Sequence, residues 1–144
     1  MMENVFDLLE KPYWVVDILP KQVPRGSAGQ YFKVEQFFLK RRSALCEKFV
    51  RVLLKLNCYL DAEVSEDGEC WSQNPAPETL EQEVGACMND GSTKAMLYVF
   101  VRSEASLIVI DRDCTYMTLY NPSETLLELL RQLVVPEGLY VWKP

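Results

Sequence analysis

Residues 95–134 read AMLYVFVRSEASLIVIDRDCTYMTLYNPSETLLELLRQLV. Three runs rich in β-branched and aromatic residues, 95–101, 106–110 and 115–120, follow one another with polar turns at 102–105 and 111–114 between them. Turns that short join only antiparallel neighbours, because a parallel crossover needs a dozen or more residues. The hydrophobic period then changes. Asn121-Pro122-Ser123-Glu124 supplies an N-cap, a proline at the first helical position and an acid at the third, and Leu126, Leu127, Leu130, Leu133 and Val134 continue at helical spacing. A meander followed by an amphipathic helix predicts an α+β domain.

Beyond this stretch, Leu139 to Trp142 has the residue types of a last strand, set off by Pro136 and Gly138. Upstream, Leu45, Phe49, Val52, Leu53 and Leu56 form one apolar stripe and predict the main core helix over 43–57. A weaker helix opens at Pro77, carries Leu80, Val84, Cys87 and Met88, and ends in 89–93. Between these helices, Tyr59 to Ser65 and Glu69 to Ser72 read as a hairpin turning on Glu66-Asp67-Gly68. Near the N-terminus, Asn4 caps a short helix that Pro12 stops, and Tyr13 to Leu19 reads as the first strand. Residues 20–30 hold two prolines and two glycines and read as a surface loop, and Tyr31 to Leu39 reads as a further strand on its aromatic and β-branched content. The expected architecture is one α+β domain over 1–144. A mainly antiparallel sheet of about six to seven strands carries the helices at 43–57 and 122–134 on one face, which leaves the other face or the edges for function.

Composition narrows the class. With 144 residues, 49% hydrophobic and 25% charged, the chain is long enough for one self-sufficient core. The longest apolar run, 96–101, falls far short of the roughly 20 residues that span a bilayer, so no membrane association is expected. The N-terminus begins with Glu3, Asp7 and Glu10 rather than a basic segment and an apolar one, and the five cysteines fit neither a full disulfide framework nor paired zinc ligands. A cytoplasmic protein with free thiols is the expectation, with no cofactor and no metal site. Histidine is absent, which removes the usual general base near neutral pH. The net charge of −6 is unevenly spread: residues 1–60 carry ten Lys/Arg against six Asp/Glu, and residues 61–144 carry five against fifteen.

Four features bear on function. Lys48, Arg51 and Lys55, preceded by Lys40-Arg41-Arg42, form a basic face that would suit phosphates, or simply the solvated side of a helix balanced by acids such as Glu47 or by the acidic C-terminal half. The overall acidity disfavours nucleic acid. The Arg25-Gly26-Ser27-Ala28-Gly29-Gln30 loop has glycines but lacks the Gly-Lys-Ser/Thr of a phosphate loop, and a strand is expected after it rather than a helix. Glu104 and the Asp111/Asp113 pair fall at opposite ends of the middle meander strand, too far apart to share a cation, and Cys114 beside them is the thiol expected to be most exposed. Trp71, flanked by Glu66, Asp67 and Glu69, would anchor a basic protein partner if exposed, and would cover the sheet if turned inward.

The leading functional expectation is therefore a non-enzymatic protein-binding module, of inhibitor or immunity type, that uses its acidic C-terminal half with Glu66, Asp67, Glu69 and Trp71 at the contact. The alternatives are a small enzyme with carboxylate chemistry drawn from Asp17, Glu35, Glu63, Asp111 and Asp113, and a weak nucleic-acid binder through 40–55. A homodimer through an open sheet edge is compatible with each.

Overall fold

The short turns of the meander act as expected, and the strands flanking it complete one seven-stranded sheet. In the computed structural model, which describes residues 4–88 and 96–144, the strands are β1 (Tyr13–Asp17), β2 (Glu63–Ser65), β3 (Ser72–Gln73), β4 (Met96–Val101), β5 (Ser106–Asp111), β6 (Tyr116–Tyr120) and β7 (Tyr140–Trp142). Their order is β3-β2-β4-β5-β6-β1-β7, and every pairing is antiparallel. The helices are α1 (Ala28–Leu39), α2 (Arg42–Asn57), α3 (Pro77–Met88) and α4 (Glu124–Val134), with a 3-10 helix at Val5–Glu10.

The main core forms where the stripes of α2, α3 and α4 meet one face of the sheet. Leu45, Phe49, Leu56, Val84, Leu126 and Leu130 pack with Val16, Leu97, Val99, Ile108, Ile110, Met117 and Leu119, all essentially buried. Helix α4 starts where the Ser123 hydroxyl accepts the Leu126 N–H at 3.1 Å. Its cap is thus Ser123 rather than Asn121, whose left-handed backbone (φ 55°) instead turns the chain out of β6. The opposite face is covered over part of its width by a smaller cluster of Leu8, Phe100, Leu107 and Val109, against which Val5, Trp71, Tyr98 and Tyr120 pack. Central strand β5 is therefore apolar on both sides, which accounts for its unbroken Leu-Ile-Val-Ile run.

Three local expectations are corrected. Residues 31–39 are helical: they lie within α1, which follows a 3-10 turn at Arg25–Ser27, so the glycine-containing segment leads into a helix and not into a strand. Aromatic and β-branched residues favour strands only where a pleated, half-buried surface is available to them. Here the sheet is completed by other segments, and α1 lies at the periphery with Phe32 and Phe37 exposed. The Phe37 and Phe38 rings meet edge to face, and Arg41 stacks on Phe37 one helical turn away while donating to its carbonyl.

The hairpin between β2 and β3 is also longer than a two-residue turn, and its returning strand is 72–73 rather than 69–72. The Ser65 hydroxyl accepts from the Asp67 and Gly68 amides, and the Asp67 carboxylate accepts from those of Glu69 and Cys70. Side-chain hydrogen bonds thus hold 66–71 as a loop in place of ladder bonds. Finally, Cys58 and Cys70 are the exposed thiols, whereas Cys114 is half-buried. The expected helix end at 89–93 and strand start at Ala95 lie outside the described residues.

Candidate functional site

Because side chains alternate along a strand, the register assigns each residue to a face. On the face opposite the main helices, β6 presents Tyr116, Thr118 and Tyr120, β1 presents Asp17, Val15 and Tyr13 directly opposite them, and β7 adds Trp142 opposite Val15. The small cluster around Leu8 and Phe100 covers the β4–β5 part of this face. Over β6, β1 and β7 it is open, and there a cleft of about 590 Å³ forms. Its floor is the strand residues just named, and its walls are Lys21 to Arg25, Tyr31 from α1, and Pro144.

Asp17 lies in the floor at 4% exposure. The Ile18 backbone N–H donates to its Oδ1 at 2.7 Å and the Trp142 indole N–H donates to its Oδ2 at 3.2 Å, which fixes both the carboxyl and the tryptophan ring. Burial raises its pKa above the ordinary aspartate value despite these hydrogen bonds, which pull the other way. The phenols around it are shifted too. Burial raises Tyr116, with Cys114 adding to it; burial also raises Tyr31, helped by Glu35 and Asp17, and Tyr120, helped by Tyr13. The cleft therefore offers phenol hydroxyls rather than phenolates. The Tyr13 and Tyr120 rings face each other across the strands with centroids 5.7 Å apart.

The surface singled out around Trp71 is built differently from a free anchor. Trp71 is half-buried: its ring meets Phe100 edge to face with centroids 6.2 Å apart, and its indole N–H donates to the Gly68 carbonyl at 3.2 Å. Asp67 spends its carboxylate on the loop, and the hydrogen bonds from Cys70, Glu69 and Ser65 hold its pKa below the usual range. Glu66 and Glu69 are exposed. This loop and the cleft use different parts of the sheet, the former over β2–β4 and the latter over β6–β1–β7.

Of the five carboxylates considered for an enzyme, only Asp17 lines the cleft. Glu63 is engaged by Arg102 through two hydrogen bonds of 2.8 and 3.0 Å. Asp111 accepts the Asp113 amide, and Asp113 lies near Arg42 and Arg112. Glu104, at the other end of β5, accepts the Ser123 hydroxyl proton. Among the described residues no group of three acids or cysteines is placed to hold a metal ion, and no helix is long and apolar enough to cross a membrane.

The basic face of α2 is occupied from within the chain. Glu137, 7% exposed in the turn after α4, receives Arg51 at 2.7 Å and has Lys55 at 3.8 Å, while Lys48 donates to its backbone carbonyl at 2.6 Å. Three cations that could have served a phosphate backbone converge instead on one acid of the C-terminal half. No family model, curated protein or solved structure matches the chain.

Proposed function

We propose that this domain is a non-enzymatic binding module whose ligand seats in the cleft over β6, β1 and β7. The observation that carries this reading is the composition of the open face: where apolar side chains cover much of β4 and β5 on both sides, this part carries Tyr13, Tyr116, Tyr120, Trp142 and a buried carboxyl around a concavity. A volume of about 590 Å³ falls within the range of small-molecule sites, whose walls are mostly apolar or aromatic with a few fixed polar groups. Binding is favoured over catalysis because Asp17 is the one acidic side chain lining the cleft, both of its oxygens are already engaged, and the chain has no histidine to act with it. Five thiols without a disulfide support a reducing compartment, the cytoplasm, as its location.

Replacing Thr118, at the centre of the floor, by Phe fills the cleft while leaving the helix-covered face untouched. Wild type and T118F are each incubated with the small-molecule fraction of the host, passed through gel filtration, and examined by mass spectrometry. Wild type should retain a compound near stoichiometrically that T118F does not retain; equal retention by both, or by neither, counts against the cleft. The acidic C-terminal half supports a second reading, a basic protein partner meeting exposed Glu66 and Glu69 beside Trp71. Affinity capture that is lost on Glu66→Gln/Glu69→Gln yet unchanged by T118F would favour that reading instead.

A further inference from the structure

Resting on the reading of the cleft as a binding site, we propose that it takes a small planar organic acid, with an aromatic body on the tyrosine-lined floor and a carboxylate at Lys21 and Arg25. Lys21 and Arg25 both line the cleft. Several cations elsewhere are matched to acids, Arg51 and Lys55 with Glu137, Arg102 with Glu63 and Arg42 with Asp113, whereas these two border the cleft. Neither Lys21 nor Arg25 has an acid or hydrogen-bond partner among the described residues. Two unpaired cations four positions apart, bordering one concavity of a protein with net charge −6, leave a local positive potential for an anion to complete.

The other charged side chain in the cleft does not oppose this. Asp17 is 4% exposed and both of its oxygens are bonded to protein donors, so neither is free to face a ligand. An organic ammonium would meet the reverse arrangement. The side-chain carboxyl it needs is already committed, and the charged side chains at the border of the cleft, Lys21 and Arg25, are cations. The body of the ligand is specified by the rings: Tyr13, Tyr31, Tyr116, Tyr120 and Trp142 line the cleft, and the four tyrosines add phenol hydroxyls to these apolar rings. Such walls suit one or two fused rings better than a flexible polar chain.

The test uses the full chain and three probes of one shape: 2-naphthoate, 2-naphthamide and 2-naphthylmethylammonium. Titration calorimetry at about 50 mM salt should give naphthoate an affinity about five- to tenfold above that of the amide, the scale that two exposed ion pairs supply. The advantage should vanish in Lys21→Gln/Arg25→Gln, which keeps its affinity for the amide, and T118F should bind neither. Circular dichroism of each variant establishes that it is folded. Equal binding of naphthoate and amide, or tighter binding of the ammonium, overturns the inference about charge and leaves the cleft as a binding site. Failure of all three probes to bind at millimolar concentration, or binding that T118F does not alter, overturns the reading of the cleft itself.

Discussion

Glu137→Gln should weaken the whole fold, because this buried acid ties α2 to the turn that leads into β7. The Arg51 Nε and Nη2 atoms both lie 2.7 Å from Glu137 Oε1, with Lys55 Nζ 3.8 Å from Oε2. Hydrogen bonds to an ionised partner contribute roughly 1.5–3 kcal/mol in partly buried settings. Arg51 is 47% exposed and regains water when the charge is removed, and glutamine keeps the volume and one acceptor, so the lower part of that range applies. We expect a loss of about 1–2 kcal/mol and a fall in melting temperature of about 3–6 °C for a chain of this length. The Lys48 bond runs to the backbone carbonyl and survives the substitution. Urea titrations followed by circular dichroism measure the loss directly, and the difference between wild type and variant should shrink at about 1 M salt, where the ionic part is screened. A variant within about 0.3 kcal/mol of wild type, or a difference that ignores salt, would refute the claim that the basic face of α2 is committed internally.

Gly68 has φ 79° and the Phe6 ring lies where its β-carbon would be, so Gly68→Ala should cost at least about 2 kcal/mol, the left-handed backbone alone accounting for about 1–2. Part of that loss should return in Phe6→Ala/Gly68→Ala, which a double-mutant cycle by urea unfolding would read as coupling. The raised pKa of Asp17 makes its ionisation a burden on the folded state. Its stabilising effect is full below the ordinary aspartate value of 3.8 and is lost as pH rises through the elevated one. The stability advantage of wild type over Asp17→Asn should therefore narrow on going from pH 3.5 to neutrality, and an advantage that widens would contradict the burial of this carboxyl. Cys58 and Cys70 should alkylate first in the native protein at about pH 7.5. Cys46 and Cys87, both pushed up to about 11 chiefly by burial, should stay unmodified, as peptide mass spectrometry would report.

The elements that carry their own punctuation were legible in the sequence. The meander turns at 102–105 and 111–114, the stripe of α2 and the leucines of α4 are local patterns, and each corresponds to an observed element within a residue or two. Residues 31–39 misled because their side-chain types suit a strand while their neighbours in space do not offer one. The β2–β3 loop misled because Asp67 acts through its carboxylate, not by tolerating an unusual turn backbone. The cleft has no counterpart among the sequence expectations, which place the contact at Glu66, Asp67, Glu69 and Trp71. The alternation Tyr116-Met117-Thr118-Leu119-Tyr120 reveals one apolar and one wet face, but that this face meets Tyr13, Val15 and Asp17 depends on β1 pairing with β6, over a hundred residues away. Likewise, nothing local in Trp142 indicates that its indole N–H will reach Asp17. The acidic neighbours of Trp71 suggest an anchor, whereas its burial follows from Phe100 and the 3-10 helix at Val5–Glu10, again partners distant in the chain.

Whether the open part of the sheet is where this protein binds its ligand can be read from the amide and indole N–H resonances of the labelled protein during titration with 2-naphthoate. Shifts should concentrate at the Trp142 indole and at the amides of Tyr13, Asp17, Tyr116, Thr118 and Tyr120, with the signals of 66–71 unmoved. Shifts centred on 66–71, or none anywhere at millimolar probe, would contradict binding there.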